Sequence, residues 1–127
     1  MAEISAQLRD PLSAFAVAGK VAIITGASGA FGRGCALTLA AMGGRLCLAA
    51  GSAGELAEVA DEVRALGGEC VTIQRRPDSL EDAEAILKTA LDAYGTVDQL
   101  VIASGYNKAG FIQDQPLEEW EAVMNAN

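Results

Sequence analysis

The stretch Lys20-Val-Ala-Ile-Ile-Thr-Gly-Ala-Ser-Gly-Ala-Phe-Gly-Arg-Gly34 constrains this 127-residue chain more than any other. Its apolar run, Val21 to Ile24, has the length of a short buried strand and stops at a glycine. Small residues follow, and an alanine-rich helical pattern resumes from Ala30 to Met42. A strand that turns into a helix through Gly26, Gly29 and Gly32 leaves backbone N–H groups uncovered at a helix N-terminus. With the positive end of the helix dipole, those groups form a site for phosphate. A Cβ at these glycines would hold a phosphate away from the backbone. The spacing therefore predicts nucleotide binding.

The same strand-then-helix alternation continues down the chain. Arg45–Ala50 is a second apolar run, and Leu56, Val59, Ala60, Val63 and Leu66 then recur at helical spacing until Gly67-Gly68. Cys70–Gln74 predicts a third strand. Ser79 is placed to cap a helix carrying Leu80, Ala83, Leu87, Ala90 and Tyr94, ended by Gly95. Gln99–Ala103 predicts a fourth strand, apolar enough to be covered on both faces. Pro116 starts a last helix with a stripe of Leu117, Trp120 and Met124. Four β-α units with buried strands imply an α/β fold: a Rossmann-like, doubly wound parallel sheet with helices on both faces. The link from Ser104 to Gln115 is where such a sheet opens its ligand crevice. Residues 1–18 read as an arm whose Ile4, Leu8, Leu12 and Phe15 cover an edge of the core, and residues 19–127 as the domain.

Composition removes whole classes of function. A net charge of −8 argues against nucleic acid or an anionic membrane surface as a partner. The acidic clusters, Glu55 to Glu62, Glu81 to Glu84 and Glu118 to Glu121, read as solvated helix faces. There is no histidine, which removes Ser–His and Cys–His catalysis and the commonest metal ligand, so no metal site is expected. Cys35, Cys47 and Cys70 lie in or beside apolar segments without CxxC spacing, as buried reduced thiols would. Asp10 and Pro11 interrupt the N-terminal pattern a signal peptide would need, and no apolar run approaches membrane-spanning length. The expectation is a cytoplasmic protein.

The loop Thr25-Gly26-x-x-x-Ala30-x-Gly32 resembles the T-G-x-x-x-G-x-G turn of the short-chain dehydrogenase/reductase family. Two more stretches follow in the family's order. Tyr94-Gly-Thr-Val-Asp-Gln-Leu-Val-Ile-Ala-Ser-Gly105 is similar to F-G-x-x-D-x-L-V-N-N-A-G, and Glu119-Trp-Glu-Ala-Val-Met-Asn-Ala-Asn127 to E-W-x-x-V-x-x-V-N. The resemblance implies a dinucleotide-binding domain for an oxidoreductase that interconverts an alcohol and a carbonyl with a nicotinamide cofactor. It implies that Gly26, Ser28, Gly29, Phe31 and Gly32 meet the adenosine and diphosphate. Positions 50 to 52, including Gly51 and Ser52, would face the ribose, Arg76 and Pro77 the adenine, and Ala103 to Gly105 the cofactor where it crosses the fourth strand. Asn127 would match the catalytic asparagine of the proton relay. A small-molecule substrate and a homo-oligomer, dimer or tetramer, through the helix beginning at Pro116 are also implied.

The departures carry expectations of their own. Ala30 replaces the middle glycine, Arg76 stands where the family has an aspartate, and Ile102 and Ala103 replace both asparagines of N-N-A-G. With no acid and no arginine at positions 50 to 52, NADP is favoured over NAD, with Arg33 or Arg76 to reach a 2′-phosphate. Tyr94 is followed four places on by Asp98 and Tyr106 by Gly110, so neither forms the family's Y-x-x-x-K acid. The chain is expected to be the N-terminal half of such an enzyme, truncated after about four β-α units. The alternative is a catalytically inert nucleotide-binding or scaffold domain with an altered cofactor site. A phosphate-receiver domain is disfavoured, since no strand ends in the acidic cluster that magnesium needs there.

Overall fold

β1 (Val21–Thr25) is buried at all five positions, which its unbroken apolar sequence requires of a strand covered on both faces. In the computed structural model, which describes residues 9–127, it pairs in parallel with β2 (Arg45–Ala50) on one side and β4 (Gln99–Ile102) on the other. β3 (Glu69–Gln74) lies outside β2, giving the order β3-β2-β1-β4. Ile24 is registered with both Leu48 and Val101.

Helices cover the two faces unequally. α1 (Ala30–Ala41) and α2 (Ala53–Ala65) pack on one, where Ala36, Ala40, Leu56, Val59, Ala60 and Val63 meet Ala22, Ile24, Leu46 and Leu48. Alanines on α1 let helix and sheet approach closely. α3 (Leu80–Tyr94) covers the other face, setting Ile86 and Ala90 against Ile23, Cys47 and Ala49. The caps behave as their residue types dictate. Ser79 Oγ accepts from Asp82 N at 3.1 Å, and Gly95 closes α3 at φ 75°. At the N-terminal edge of the sheet, Asp98 Oδ2 accepts from Val21 N at 2.9 Å while Asp98 N donates to Val21 O.

Expectations about coverage fail at β4 and at the N-terminal arm. β4 is covered on one face only: Val101 packs against the α1 side, whereas Leu100 and Ile102 are 61% and 72% exposed. α4 (Leu117–Ala126) leaves its own stripe open too, so Trp120 belongs to no core. An apolar strand sequence states that burial is favourable but not which element supplies it. Leu12 and Phe15, on a 3-10 turn at Pro11–Phe15, are exposed and cover nothing; Ile4 and Leu8 lie outside the described residues. Among the described residues no helix is long and apolar enough to cross a membrane.

The chain runs β1, β2, β3 outward on one side and then crosses to place β4 on the other side of β1. The connections after β1 and β4 therefore diverge, opening a crevice at the C-terminal ends of these two strands.

Candidate functional site

The floor of that crevice is the turn after Thr25. Gly26 has φ 66°, and a Cβ there would come within 2.5 Å of Ser104 N and 2.6 Å of the Ala103 carbonyl carbon. A Cβ on the buried Gly32 would overlap the Gly26 carbonyl oxygen. Backbone-on-backbone packing by itself therefore requires these two glycines. Gly29, the N-cap of α1, is exposed and offers no side-chain cap. Within the turn, Ala27 N donates to Ala49 O, Gly29 N to Gly26 O and Arg33 N to Gly29 O. The N–H groups of Ser28, Ala30, Phe31 and Gly32 have no acceptor among the described residues. This is the bared cluster at a positive helix end that an anion requires. The turn takes Ala30 without backbone strain: the residue is exposed, and no residue other than glycine among those described has positive φ.

The end of β4 is locked to this turn. Ala103 N donates to Thr25 O at 3.1 Å, and the Thr25 and Ser104 hydroxyls share a hydrogen bond of 3.2 Å. That bond satisfies Thr25, which is only 4% exposed. The next residue, Gly105, lies against Asn127, whose Oδ1 would be 2.7 Å from a Cβ at that position. Asn127 Nδ2 donates to both Tyr106 O and Val123 O at 2.7 Å. The asparagine is exposed, and its amide ties the end of α4 to the segment leaving β4.

Two adjoining hollows share Ser104, Gly105 and Tyr106. One, of about 590 Å³, adds Arg76, Pro77, Asp78, Ala122, Asn125 and Ala126. The other, of about 570 Å³, adds Phe31, Cys35, Ala103 and Asn127. The fold thus brings Arg76, Pro77 and Gly105 together, and Phe31, Ala103, Gly105 and Asn127 together. Gly51 joins the first group because the Arg76 stem lies across it: a Cβ on Gly51 would be 3.1 Å from Arg76 Cδ. Ser52 caps the start of α2 without a side-chain bond and lines neither hollow. Tyr106 and Asn125 escaped the sequence reading, since nothing local marks a loop tyrosine or a helix-end asparagine as lining a cleft.

Charge around the crevice is mostly committed. Arg33, one of two arginines expected to reach a 2′-phosphate, makes a two-pronged pair with Glu62 on α2. Arg75 pairs with Asp82 at 2.5 Å, and Lys108 with Glu119. Neither Tyr94 nor Tyr106 has the lysine four places on that the family's Y-x-x-x-K pattern carries. Tyr94 donates its hydroxyl to Leu46 O at 3.2 Å, near the start of β2 and away from the crevice, and burial pushes its pKa up to about 12. Burial likewise pushes the Cys47 thiol up to about 11, so it is no nucleophile. Cys35 and Cys70 are half-buried. No group of three or more His, Cys, Asp or Glu gathers among the described residues in a way that could hold a metal.

The parallel order with its crevice, the bared turn and the locked β4 end define a Rossmann-like α/β domain. Residues 20–127 match the family model for short chain dehydrogenases, and the chain belongs to that family. It is 41% identical over 116 residues to an uncharacterized oxidoreductase of Mycobacterium tuberculosis, an alignment covering 91% of this chain and 42% of the relative. The fold superposes on a short-chain type dehydrogenase/reductase from Mycobacterium marinum with a TM-score of 0.83 and 30% identity, over 91% of this chain and 47% of the other. A carveol dehydrogenase from Mycobacterium avium, solved in complex with NAD, gives a TM-score of 0.78 at 26% identity, over 87% and 44%. The chain thus spans less than half the length of these relatives.

Proposed function

We propose that this chain supplies the cofactor-binding half of a short-chain oxidoreductase that interconverts an alcohol and a carbonyl on a small molecule. The observation that carries the reading is the set of four unpartnered N–H groups at Ser28, Ala30, Phe31 and Gly32, opening on the crevice at the strand-order reversal. Those amides suit a dinucleotide's diphosphate, with Gly26, Gly29 and Gly32 shaping the turn. Gly51, Ser52, Arg76 and Pro77 would receive the adenosine end, and Ala103 and Gly105 the stretch crossing β4. The nicotinamide, when bound, supplies or accepts the hydride. This chain's residues bind and orient; Asn127 would hold a water through its main chain, its side chain being engaged with Tyr106 O and Val123 O. The cofactor is NADP or NAD, with NADP favoured because no carboxylate at positions 50 to 52 would repel a 2′-phosphate. A cytoplasmic location and a homo-oligomer, dimer or tetramer, complete the reading, the exposed Leu117, Trp120 and Met124 of α4 being the surface for assembly.

A second reading, an inert nucleotide-binding or scaffold domain, is favoured by one observation. Ile102 and Ala103 bring no side-chain amide to the β4 end, where the family pattern has two asparagines. Titration of the chain with NADPH and NADH, followed by Trp120 fluorescence and calorimetry, tests the dinucleotide binding that the first reading requires and a scaffold does not. Saturable binding below about 1 mM, a free energy of about −4 kcal/mol, supports the first reading. Silence from both dinucleotides at that concentration overturns it and leaves the scaffold.

A further inference from the structure

The link that leaves β4 is held in place by side chains. From Ser104 to Gly110 no main-chain group bonds to another main-chain group among the described residues; the turn bonds begin only with Asp114 N to Phe111 O. Three side-chain ties stand in their place. The Ser104 hydroxyl meets that of Thr25 at 3.2 Å, Asn127 Nδ2 donates to Tyr106 O at 2.7 Å, and Lys108 Nζ donates to the Glu119 carboxylate. Glu119 lies in the first turn of α4 and Asn127 at its C-terminal end, so the two later ties strap the link along that helix. Tyr106 falls between the first tie and the last. It is also the one bulky side chain among the three residues that both hollows share. Lys108 lines neither hollow.

We propose that Lys108 and Glu119 are positioning residues: their pair holds the link against α4 and so keeps the Tyr106 ring at the crevice, where it packs on a bound dinucleotide. The assignment rests on the reading of the crevice as the dinucleotide site. A segment without main-chain bonds opens locally at small cost, so the few ties it has decide its resting place. An exposed ion pair adds little to the stability of a whole fold. Here it acts on one short segment, and ligand affinity reads the position of that segment directly. The tyrosine suits the task, because its flat ring offers apolar contact area and carries a polar tip for the wet mouth of a cleft. The ammonium itself does not serve as a ligand contact: Glu119 engages it, and it borders neither hollow.

The test is calorimetric titration of the whole chain with NADPH and with NADH, in the parent, Lys108→Glu, Glu119→Lys, the two exchanges combined, and Tyr106→Ala. Loss of an exposed pair corresponds to at most about fivefold in affinity, and the like charges left facing one another repel by a similar amount. Lys108→Glu and Glu119→Lys are therefore each expected to weaken both dinucleotides by about two- to tenfold. The combined exchange rebuilds the pair in reverse and returns affinity to within about twofold of the parent. Tyr106→Ala leaves both charges in place and weakens both ligands by about two- to tenfold. The Glu119→Lys arm separates a tie from a field: added positive charge alone would make an anionic ligand bind more tightly, whereas a broken tie makes it bind more weakly. The assignment is overturned if Glu119→Lys tightens binding, if the combined exchange stays as weak as Lys108→Glu, or if Tyr106→Ala binds as the parent does. Circular dichroism follows every variant, and one whose helices melt is replaced by its neutral counterpart, Lys108→Met or Glu119→Gln, with the same direction expected. A parent that binds while all variants match it refutes the pair alone. A parent that binds neither dinucleotide refutes the reading of the crevice, and the role of the pair falls with it.

Discussion

Gly32 and Gly34, two residues apart on α1, carry opposite consequences for the same substitution. A Cβ at Gly32 would enter the space of the Gly26 carbonyl and the Ala27 Cα, both backbone, with no flexible neighbour to yield. Gly32→Ala is expected to destabilise the chain by about 1–3 kcal/mol, the range for overpacking a tight interior. Gly34 has nothing within 4 Å of its added carbon and lies in the helix interior. Gly34→Ala is expected to stabilise by about 0.5–1 kcal/mol through the unfolded chain's lost freedom. Urea unfolding of both variants checks the pair; equal effects would mean that the turn relaxes around Gly32. The spacing of these glycines was legible in the sequence, and it located the turn. The reason for Gly26 was not, because the peptide it packs against, between Ala103 and Ser104, arrives from the far strand. Arg76 shows the same limit. Its type and number were readable, but that no described carboxylate pairs with it, while Glu62 takes Arg33 and Asp82 takes Arg75, depends on the fold.

At the scale of elements, strands and helices were readable to within a residue or two because each carries its own period and its own stop. Ser79 and Gly95 bound α3 with a side-chain cap and a left-handed glycine. Coverage of an element is a different matter, since it depends on a partner elsewhere in the chain. Asp98 illustrates what one element does for another: it joins the start of β4 to β1 through Val21, with Lys20 at 3.4 Å. The Val21 N–H bond, with Lys20 adding, holds the Asp98 carboxyl below its ordinary value of 3.8. Asp82 is held low by Ser79 and Arg75. A carboxyl whose folded pKa is depressed contributes stability that is complete above the unfolded value and is lost as pH falls through the folded one. Denaturation midpoints should therefore be level in these two contributions near neutrality and fall below about pH 4. Asp98→Asn should lower the neutral midpoint and flatten that acid limb, while the parent's limb stays steep. A variant with an unchanged acid limb would show that the Val21 contact does not persist in solution.

At the scale of the molecule, β4 has one hydrogen-bonded neighbour, β1, and stands at the edge of the sheet. Its two outward-facing residues, Leu100 and Ile102, are largely exposed, and Leu87 of α3 lies half open beside the hollow they line. An apolar strand with an unpaired edge offers both the backbone groups and the greasy face that a second chain needs to add to the sheet. The charges that discourage such pairing are sparse here: Asp98, just before the strand, is already engaged with Val21 and Lys20. The net charge of −8 opposes association at long range, but at about 0.15 M salt repulsion is screened within about 8 Å, so the local edge decides. The 127-residue chain is accordingly expected to self-associate as concentration rises, with its sedimentation coefficient increasing in analytical ultracentrifugation. Ile102→Lys places a charge on the open face of the edge strand and is expected to return the chain toward a monomer while leaving its helical circular dichroism unchanged. A parent that sediments as one monomeric species across the range would show that the edge is protected. A parent that associates equally with Ile102→Lys would move the contact to α4, where Leu117→Lys then becomes the variant that dissociates it.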